Sequence, residues 1–317
     1  MKNATFRQLR IFTEVAHHLS FSKAASALHL TPPAVTMQVK DLEAQIGFPL
    51  FERKGKTTYL TTGGEYMLVY ARKLLGTLKD AQDAAERLSG IQTGTLLIGM
   101  VSTALYFLPK LLSEFKTDHP GVDVRISMGN RQKLLAWLRD GEIDMAIMGR
   151  PPKEISTRAE PFAAHPHVFV CSPSHILART DDIMPTVLET HPFIVREPGS
   201  GTLAALDRFF EQHRITPPIA MELESNEAVK QAVMAGLGVS FLSLHTIKLE
   251  LDQELLCVLD VVGAPVMRAW NLTYTLGKYL SPTAEAFRYF ILERGEPFLI
   301  SEFQEHHLNL MQNTIKP

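Results

Sequence analysis

Only two cysteines, Cys171 and Cys257, occur in the 317 residues. A disulfide framework is excluded, and the usage fits a reducing cytosol, so a cytoplasmic location is expected. The first residues, Met1-Lys2-Asn3-Ala4-Thr5-Phe6, hold no apolar h-region and no small-residue cleavage site, and no secretion signal is expected. Long hydrophobic runs are missing too. The longest, Leu96 to Pro109, is interrupted by Gly99, Ser102 and Thr103 and falls short of the roughly 20 residues a membrane span needs. Enzyme signatures are equally scarce: no Walker pattern, Gly-x-Ser-x-Gly elbow, His-Glu-x-x-His or Cys-x-x-Cys frame occurs. Gly236-Leu237-Gly238 follows a helical segment instead of joining a strand to a helix, so it fails as a dinucleotide fingerprint. The pairs His17-His18, His165/His167 and His306-His307 lack metal-ligand frames, and Cys171 sits in an apolar strand where it packs in a core. No catalytic residue, metal or cofactor is therefore expected, and the alternative of an enzyme is left to a turnover assay.

What is present is an ordinary globular composition, 45% apolar and 21% charged, long enough for about two domains. The net charge of −2 is unevenly spread: +4 over residues 1–60, zero over 61–90 and −6 over 91–317. A basic head on an acidic body fits a nucleic-acid reader joined to a separate sensing module.

In the head, Phe6, Leu9, Phe12, Val15 and Ala16 recur at helical steps. The Ala-rich segment Ser22–Leu28 opens with a residue type suited to N-capping. Thr31 can cap a third helix with Pro32 at its first position and Gly47 as its stop. Val35, Val39, Leu42 and Ile46 form its buried stripe, and the opposite face exposes Pro33, Ala34, Thr36, Met37 and Lys40. Two short helices with a capped second one make a helix-turn-helix whose small or hydrogen-bonding face can enter a major groove. Leu50 to Leu60, apolar at its ends and basic around Gly55, reads as a hairpin wing placed for phosphates. A generic three-helix packing unit is the plainer alternative.

The connector begins with Thr62-Gly63-Gly64-Glu65, the spacing of a capping box. Met67, Ala71, Leu74, Leu78, Ala81, Ala85 and Leu88 follow as an unbroken heptad stripe, with Gly90 ending it. This predicts a helix that pairs with its twin in a second subunit; a surface helix packed on its own domain is the alternative.

From Thr93 strands and helices alternate: Leu96–Met100, Val122–Ile126 and Ile143–Met148, then His167–Cys171, Phe193–Val195 and Gly238–Leu242. The succession predicts a parallel sheet with helices on both faces. A late strand at Trp270–Tyr274 and a helix from Thr283 to Leu292 could return to the first lobe. Ligands in such sheets bind beyond the carboxyl ends of strands. The polar residues there are Ser102, Thr103, Asn130, Arg131, Arg150, Arg196, Ser200, Gly201, Thr202 and Asn226. Arginines beside capped helix starts suit a multiply anionic ligand.

Phe6-Arg7-Gln8-Leu9-Arg10, Ser20 to Ala25, Pro33 to Gln38, Leu42-Glu43 and Leu50 to Arg53 together resemble the amino-terminal domain of LysR-type transcriptional regulators. The resemblance implies an α/β chain with a winged helix-turn-helix over residues 1–61, a dimerisation helix over 62–91 and a two-lobed, periplasmic-binding-protein-like effector domain over 92–295. Residues 296–317 form a C-terminal tail of unassigned role. It implies operator contacts from Ser22, Thr31, Pro32, Pro33, Thr36, Gln38 and Lys40, with Arg53 and Lys54 on the DNA backbone. The family usually has Gln where this chain has Pro32, which lacks a side-chain hydrogen bonder. Val101 to Phe107, Gly129-Asn130-Arg131, Asp144 to Pro152 and Glu197 to Thr202 look like the branch that regulates Calvin-cycle carbon-fixation operons. That branch implies a phosphorylated sugar, phosphoenolpyruvate or NADPH as effector. It also implies double-stranded operator DNA and RNA polymerase as partners, and a dimer that assembles into a homotetramer.

Overall fold

The computed structural model describes residues 4–55, 57–89, 94–152, 154–276 and 279–314. Two compact units emerge, one of residues 1–90 with 140–142 and one of residues 91–139 with 143–317.

The head is built from α1 (Phe6–His18), α2 (Phe21–Ala27) and α3 (Pro32–Ile46), a hairpin of β1 (Phe51–Lys54) and β2 (Thr57–Leu60), and α4 (Thr62–Ser89). A reciprocal cap starts α1: Thr5 Oγ1 accepts the Gln8 N–H at 3.2 Å, and Gln8 Oε1 accepts the Thr5 N–H at 3.0 Å. The expected stripe of α1 is buried except Phe6, which stays exposed in the first turn. On α2 the cap is Ser20, not Ser22; its side chain accepts the Lys23 N–H, and Ser22 lies exposed inside the helix. Thr31 occupies the cap position of α3 but makes no side-chain cap bond. Pro33, two residues on, has no N–H to offer it. Val35, Val39 and Leu42 are buried, Ile46 partly, and Gly47 ends the helix at φ +93°.

The cap of α4 lies one residue before the expected box: Thr61 Oγ1 accepts the Gly64 N–H at 2.9 Å. The heptad stripe divides. Met67 and Ala71 are buried with Leu9, Phe12, Leu42 and Leu50 in the head's own core, because the first turns of α4 form a wall of that domain. Leu74 is exposed, Leu78 half-buried and Ala81 and Ala85 exposed. The side chain of Leu88, and Gly90 as the helix stop, lie outside the described residues. Tyr66, Val69 and Tyr70 stand 59–70% exposed on the same helix, an apolar face that the head leaves uncovered.

The body opens with β3 (Gly94–Met100), a 3-10 turn (Ser102–Tyr106) and α5 (Leu108–Asp118), then β4 (Val122–Met128), α6 (Arg131–Asp140) and β5 (Met145–Met148). The long β6 (Thr157–Cys171) leads to β7 (Phe193–Arg196), α7 (Gly201–His213), β8 (Ile219–Leu223), α8 (Asn226–Met234) and β9 (Val239–Ser243). Next come α9 (Lys248–Asp252), β10 (Cys257–Val258), β11 (Val266–Thr275) and α10 (Pro282–Thr314). Among the described residues the sheet runs β4-β3-β5-β11-β6-β9-β7-β8, with β10 on β6. It is mixed, which corrects the all-parallel expectation. β3 pairs parallel with β4 and β5, and β7 pairs parallel with β8 and β9. β6 and β11 run antiparallel through the middle, their register shifting between Trp270 and Asn271. These two strands serve both lobes, so the chain crosses twice and β11 returns to β5 as expected.

Phe107, Phe115, Trp270 and Phe287 fill the first lobe's core; Phe169, Phe193, Phe209 and Phe241 fill the second's. The tail boundary expected at residue 295 falls inside α10, which continues with Leu299 and Phe303 buried in the first core. No helix among the described residues is long and apolar enough to cross a membrane. Nor is any group of three or more His, Cys, Asp or Glu among them placed to hold a metal. The side chains of His306 and His307 lie outside the described residues.

Candidate functional site

The first surface of interest is the outward face of α3. Pro32, Pro33, Met37 and Lys40 are exposed, and Thr36 and Gln38 are half-buried on its two flanks. The Thr36 hydroxyl donates to the Pro32 carbonyl at 2.9 Å, so toward a partner it is left as an acceptor. Thr31 is exposed at the helix start, and exposed Arg53 on β1 lies 5.8 Å from the Phe21 ring centroid. Lys54 belongs to β1, with its side chain outside the described residues. Met37, 56% exposed near the centre of the face, is absent from the expected contacts although its place follows from the same periodicity.

The second site is a cavity of about 200 Å³ between the lobes of the body. Nine of the ten expected ligand residues line it: Ser102, Thr103, Asn130, Arg131, Arg150, Arg196, Ser200, Gly201 and Thr202. Three chain turns point at it. Asn130 Oδ1 accepts the Lys133 N–H at 3.0 Å at the start of α6, and Ser200 Oγ accepts the Thr202 N–H at 3.2 Å at the start of α7. The 3-10 turn from Ser102 is the third. Asn226, the tenth, is behind the wall; its amide oxygen accepts from Arg196 Nη1.

The arginines differ from the expectation of a convergent set. Arg196 is 6% exposed and its donors are occupied: Glu197 takes Nε and Nη2 at 2.7 and 3.0 Å, and the Glu224 carbonyl takes Nη2 at 3.2 Å. Ser102 Oγ, from the other lobe, lies 3.5 Å away. Arg196 thus fastens the wall instead of waiting for a ligand. Arg131 is held by Glu154 through a fork of 2.9 and 2.7 Å. Arg150 is exposed and forms no ion pair among the described residues.

Two residues that sequence reasoning missed complete the floor. Arg268 on β11 stands directly opposite His165 on β6. Its Nη1 donates to the Gly201 carbonyl at 2.9 Å. Burial, with Arg208 and Arg150 nearby, holds its guanidinium pKa down to about 10. His165 is buried, its Nε2 is 2.9 Å from Ser243 Oγ, and its Nδ1 has no partner among the described residues. A Cβ on Gly149 would come within 3.0 Å of that Nδ1 and 3.2 Å of Arg268 Nη2. Glycine there leaves open the space that both groups face. Behind His165, the Trp270 indole N–H donates to His245 Nδ1 at 3.0 Å and Trp270 stacks on His165 at 3.8 Å. Burial holds His165 and His167 well below the ordinary histidine pKa, so both are neutral at pH 7.

A winged helix-turn-helix joined to a two-lobed ligand-binding body defines a ligand-responsive DNA-binding regulator. The chain belongs to the LysR family: residues 6–65 match the bacterial regulatory helix-turn-helix protein, lysR family, and residues 89–296 match the LysR substrate binding domain. It is a LysR-type transcriptional regulator. It is 47% identical over 304 residues to the HTH-type transcriptional regulator CfxR of Cupriavidus necator, covering 96% of each chain. It is 44% identical over 287 residues to the RuBisCO operon transcriptional regulator of Acidithiobacillus ferrooxidans, covering 90% of this chain and 93% of the relative. The regulatory domain of Synechocystis CcmR, solved in complex with 2-PG, matches with a TM-score of 0.62 and 35% identity. That match covers 63% of this chain and 97% of the CcmR domain.

Proposed function

We propose that this regulator controls carbon-fixation genes through a small phosphorylated anion bound between the lobes of its body. The observation that carries the reading is the cleft floor, where, among the described residues, Arg268 and Arg150 meet no carboxylate and His165 Nδ1 meets no partner. Arg forks select phosphate and carboxylate oxygens. The names of the relatives and the 2-PG in the CcmR domain support the same ligand class. The protein acts by binding, not by turnover. A phosphorylated sugar, phosphoenolpyruvate or NADPH are the candidates within the class; a different carboxylate effector serving another operon is the alternative reading.

On the DNA side, Thr31, Pro33, Thr36, Gln38 and Lys40 face the operator, with Arg53 and Lys54 on phosphates. Ser22, exposed inside α2, contacts the backbone. Pro32 supports the helix start without reading a base. Two copies pair through α4, whose exposed Tyr66, Val69 and Tyr70 supply an apolar seam. The dimer presents two recognition helices to a two-fold operator in the cytoplasm, assembles further into a tetramer, and works with RNA polymerase. Effector and operator are coupled reciprocally.

A thermal-shift panel on the full chain tests the effector. A phosphorylated metabolite at a hundredfold excess over its Kd stabilises by about 2.7 kcal/mol, with loss of the shift in Arg131→Ala, where the ligand competes with Glu154. Stabilisation by aromatic acids alone would reject the ligand class. Thr36→Ala is expected to lose discrimination at one base step, by about 1 kcal/mol or more, while keeping salt-dependent non-specific binding. Equal weakening on specific and random DNA, measured by titration at fixed salt, would reject the placement of Thr36.

A further inference from the structure

Next to the cleft, on the far side of Arg268, lies a larger groove of about 760 Å³. Arg150, Arg208, Gln212, His213 and Met267 line it together with Arg268. The groove and the cleft share Gly149, Arg150, Gly201 and Arg268, so Arg268 stands in the partition between them.

The groove's charge is one-sided. Arg150 follows β5 by two residues, Arg208 lies on α7 and Arg268 on β11, so the three come from separate parts of the chain. Arg208 and Arg150 both push the Arg268 guanidinium toward its neutral form. None of the three makes an ion pair with a carboxylate among the described residues. Asp207 and Glu211 sit on the same helix as Arg208 yet do not neutralise it. The carboxyl of Asp207 is pushed up, first by burial and then by Glu211, the opposite of what a facing arginine produces. Clustered like charges around a partly desolvated guanidinium are unfavourable in an empty site and become favourable once an oxyanion enters. Arg268 Nη1 is spent on the Gly201 carbonyl, which orients the guanidinium while leaving Nη2 to a ligand. The Gln212 amide adds a neutral donor at the same wall.

We propose that Arg150, Arg208 and Arg268 form a second anion site, distinct from the cleft, that takes a phosphate group. The forks of Arg150 and Arg208 and the remaining Nη2 of Arg268 line one groove with no carboxylate among its lining residues, and together they match the three terminal oxygens of a phosphomonoester or of free phosphate. A carboxylate, with two oxygens, satisfies fewer of them. Because Arg150 and Arg268 belong to both walls, occupation of the groove and of the cleft are linked through two side chains, and each ligand changes the affinity of the other by the same factor.

Calorimetric titration of the full chain with inorganic phosphate and, separately, with glycerol phosphate tests this. Wild type is expected to bind two equivalents of glycerol phosphate. Arg208→Ala, which touches the groove alone, weakens one event at least tenfold and leaves the other within twofold. Arg208→Glu abolishes that event. Ser102→Phe, which fills the cleft alone, has the reverse effect. A groove event with equal affinity for inorganic phosphate identifies a free-phosphate site, and a preference for the ester identifies a phosphorylated metabolite. If both Arg208 variants bind as wild type does, or if the sole event disappears in Ser102→Phe, the second site is rejected. A sole event lost in Arg208→Glu but kept in Ser102→Phe upholds the groove and rejects the cleft as the anion site. Arg208 is exposed, so its replacement leaves the fold intact, which circular dichroism checks.

Discussion

Arg196 and Arg268 line the same cavity and have opposite surroundings. Arg196 is enclosed by the Glu197 carboxylate, the Asn226 amide, the Glu224 carbonyl and the Ser102 hydroxyl. Arg268 has one carbonyl and two further arginines for neighbours. A buried cation already supplied with an anion and acceptors holds structure together, because separating it would strand charge in a poorly solvated place. A cation surrounded by its own kind has unspent affinity. The cleft therefore has a sealed end, which ties Ser102 of the first lobe to Glu224 and Asn226 of the second, and an open end, where ligand chemistry is unsatisfied.

The largest expected effect breaks the sealed end. Arg196→Ala leaves the Glu197 carboxylate and Asn226 without their donor and is expected to cost about 2–4 kcal/mol. It would be read as a lower denaturant midpoint at unchanged m; a cost below about 1 kcal/mol would contradict the fastening role. Next comes pH. His165 and His167 are neutral in the fold because burial lowers their pKa well below 6.5. The unfolded chain takes up protons at about 6.5 while the folded chain does not, so stability is flat above that pH and falls as pH drops through it. The loss is up to about 1.4 kcal/mol per pH unit for each histidine. Melting points between pH 7.5 and 5.5 should show the fall, with a shallower slope in His167→Gln; identical slopes would contradict it.

Gly149→Ala sharpens the open end. Its Cβ would press on His165 Nδ1 and Arg268 Nη2, at a stability cost of about 1 kcal/mol. Ligand titration should show weakened effector binding, and unchanged affinity would move the ligand away from that floor. The smallest effect on stability belongs to Arg268→Ala. Loss of the Gly201 hydrogen bond is offset by relief from Arg150 and Arg208, for a net change under about 1 kcal/mol. Anion binding should nevertheless be lost, and a large drop in melting point with ligand response kept would reverse the contrast with Arg196.

Legibility in the sequence followed the range of the interaction. The buried stripes of α1 and α3 and the hairpin at Gly55 read directly, because steps of three and four residues and a tight turn are local. The caps slipped, to Ser20 from Ser22 and to Thr61 from Thr62, since adjacent hydroxyl residues offer the same chemistry and the chain's entry angle selects one. Only the end of the 15-residue β6 was expected; Pro161 and Pro166 interrupt its pattern, and antiparallel pairing with β11 sustains it. Edge strand β8 went unread because Ile219 and Met221 are exposed, so no buried alternation marks it. Arg268 was invisible as a site residue, because its neighbours Arg150 and Arg208 lie 118 and 60 positions earlier in the chain.

By itself the sequence determined the class of protein, through local helix, cap and turn signals and a collinear set of motifs, and it collected most residues of the cleft at strand ends. Only the tertiary structure decided which arginines are already satisfied and which are not. Charge identity is written in the chain, but whether a guanidinium meets a carboxylate or another guanidinium depends on strand pairings far apart in sequence. That distinction sets where an anion can gain by binding.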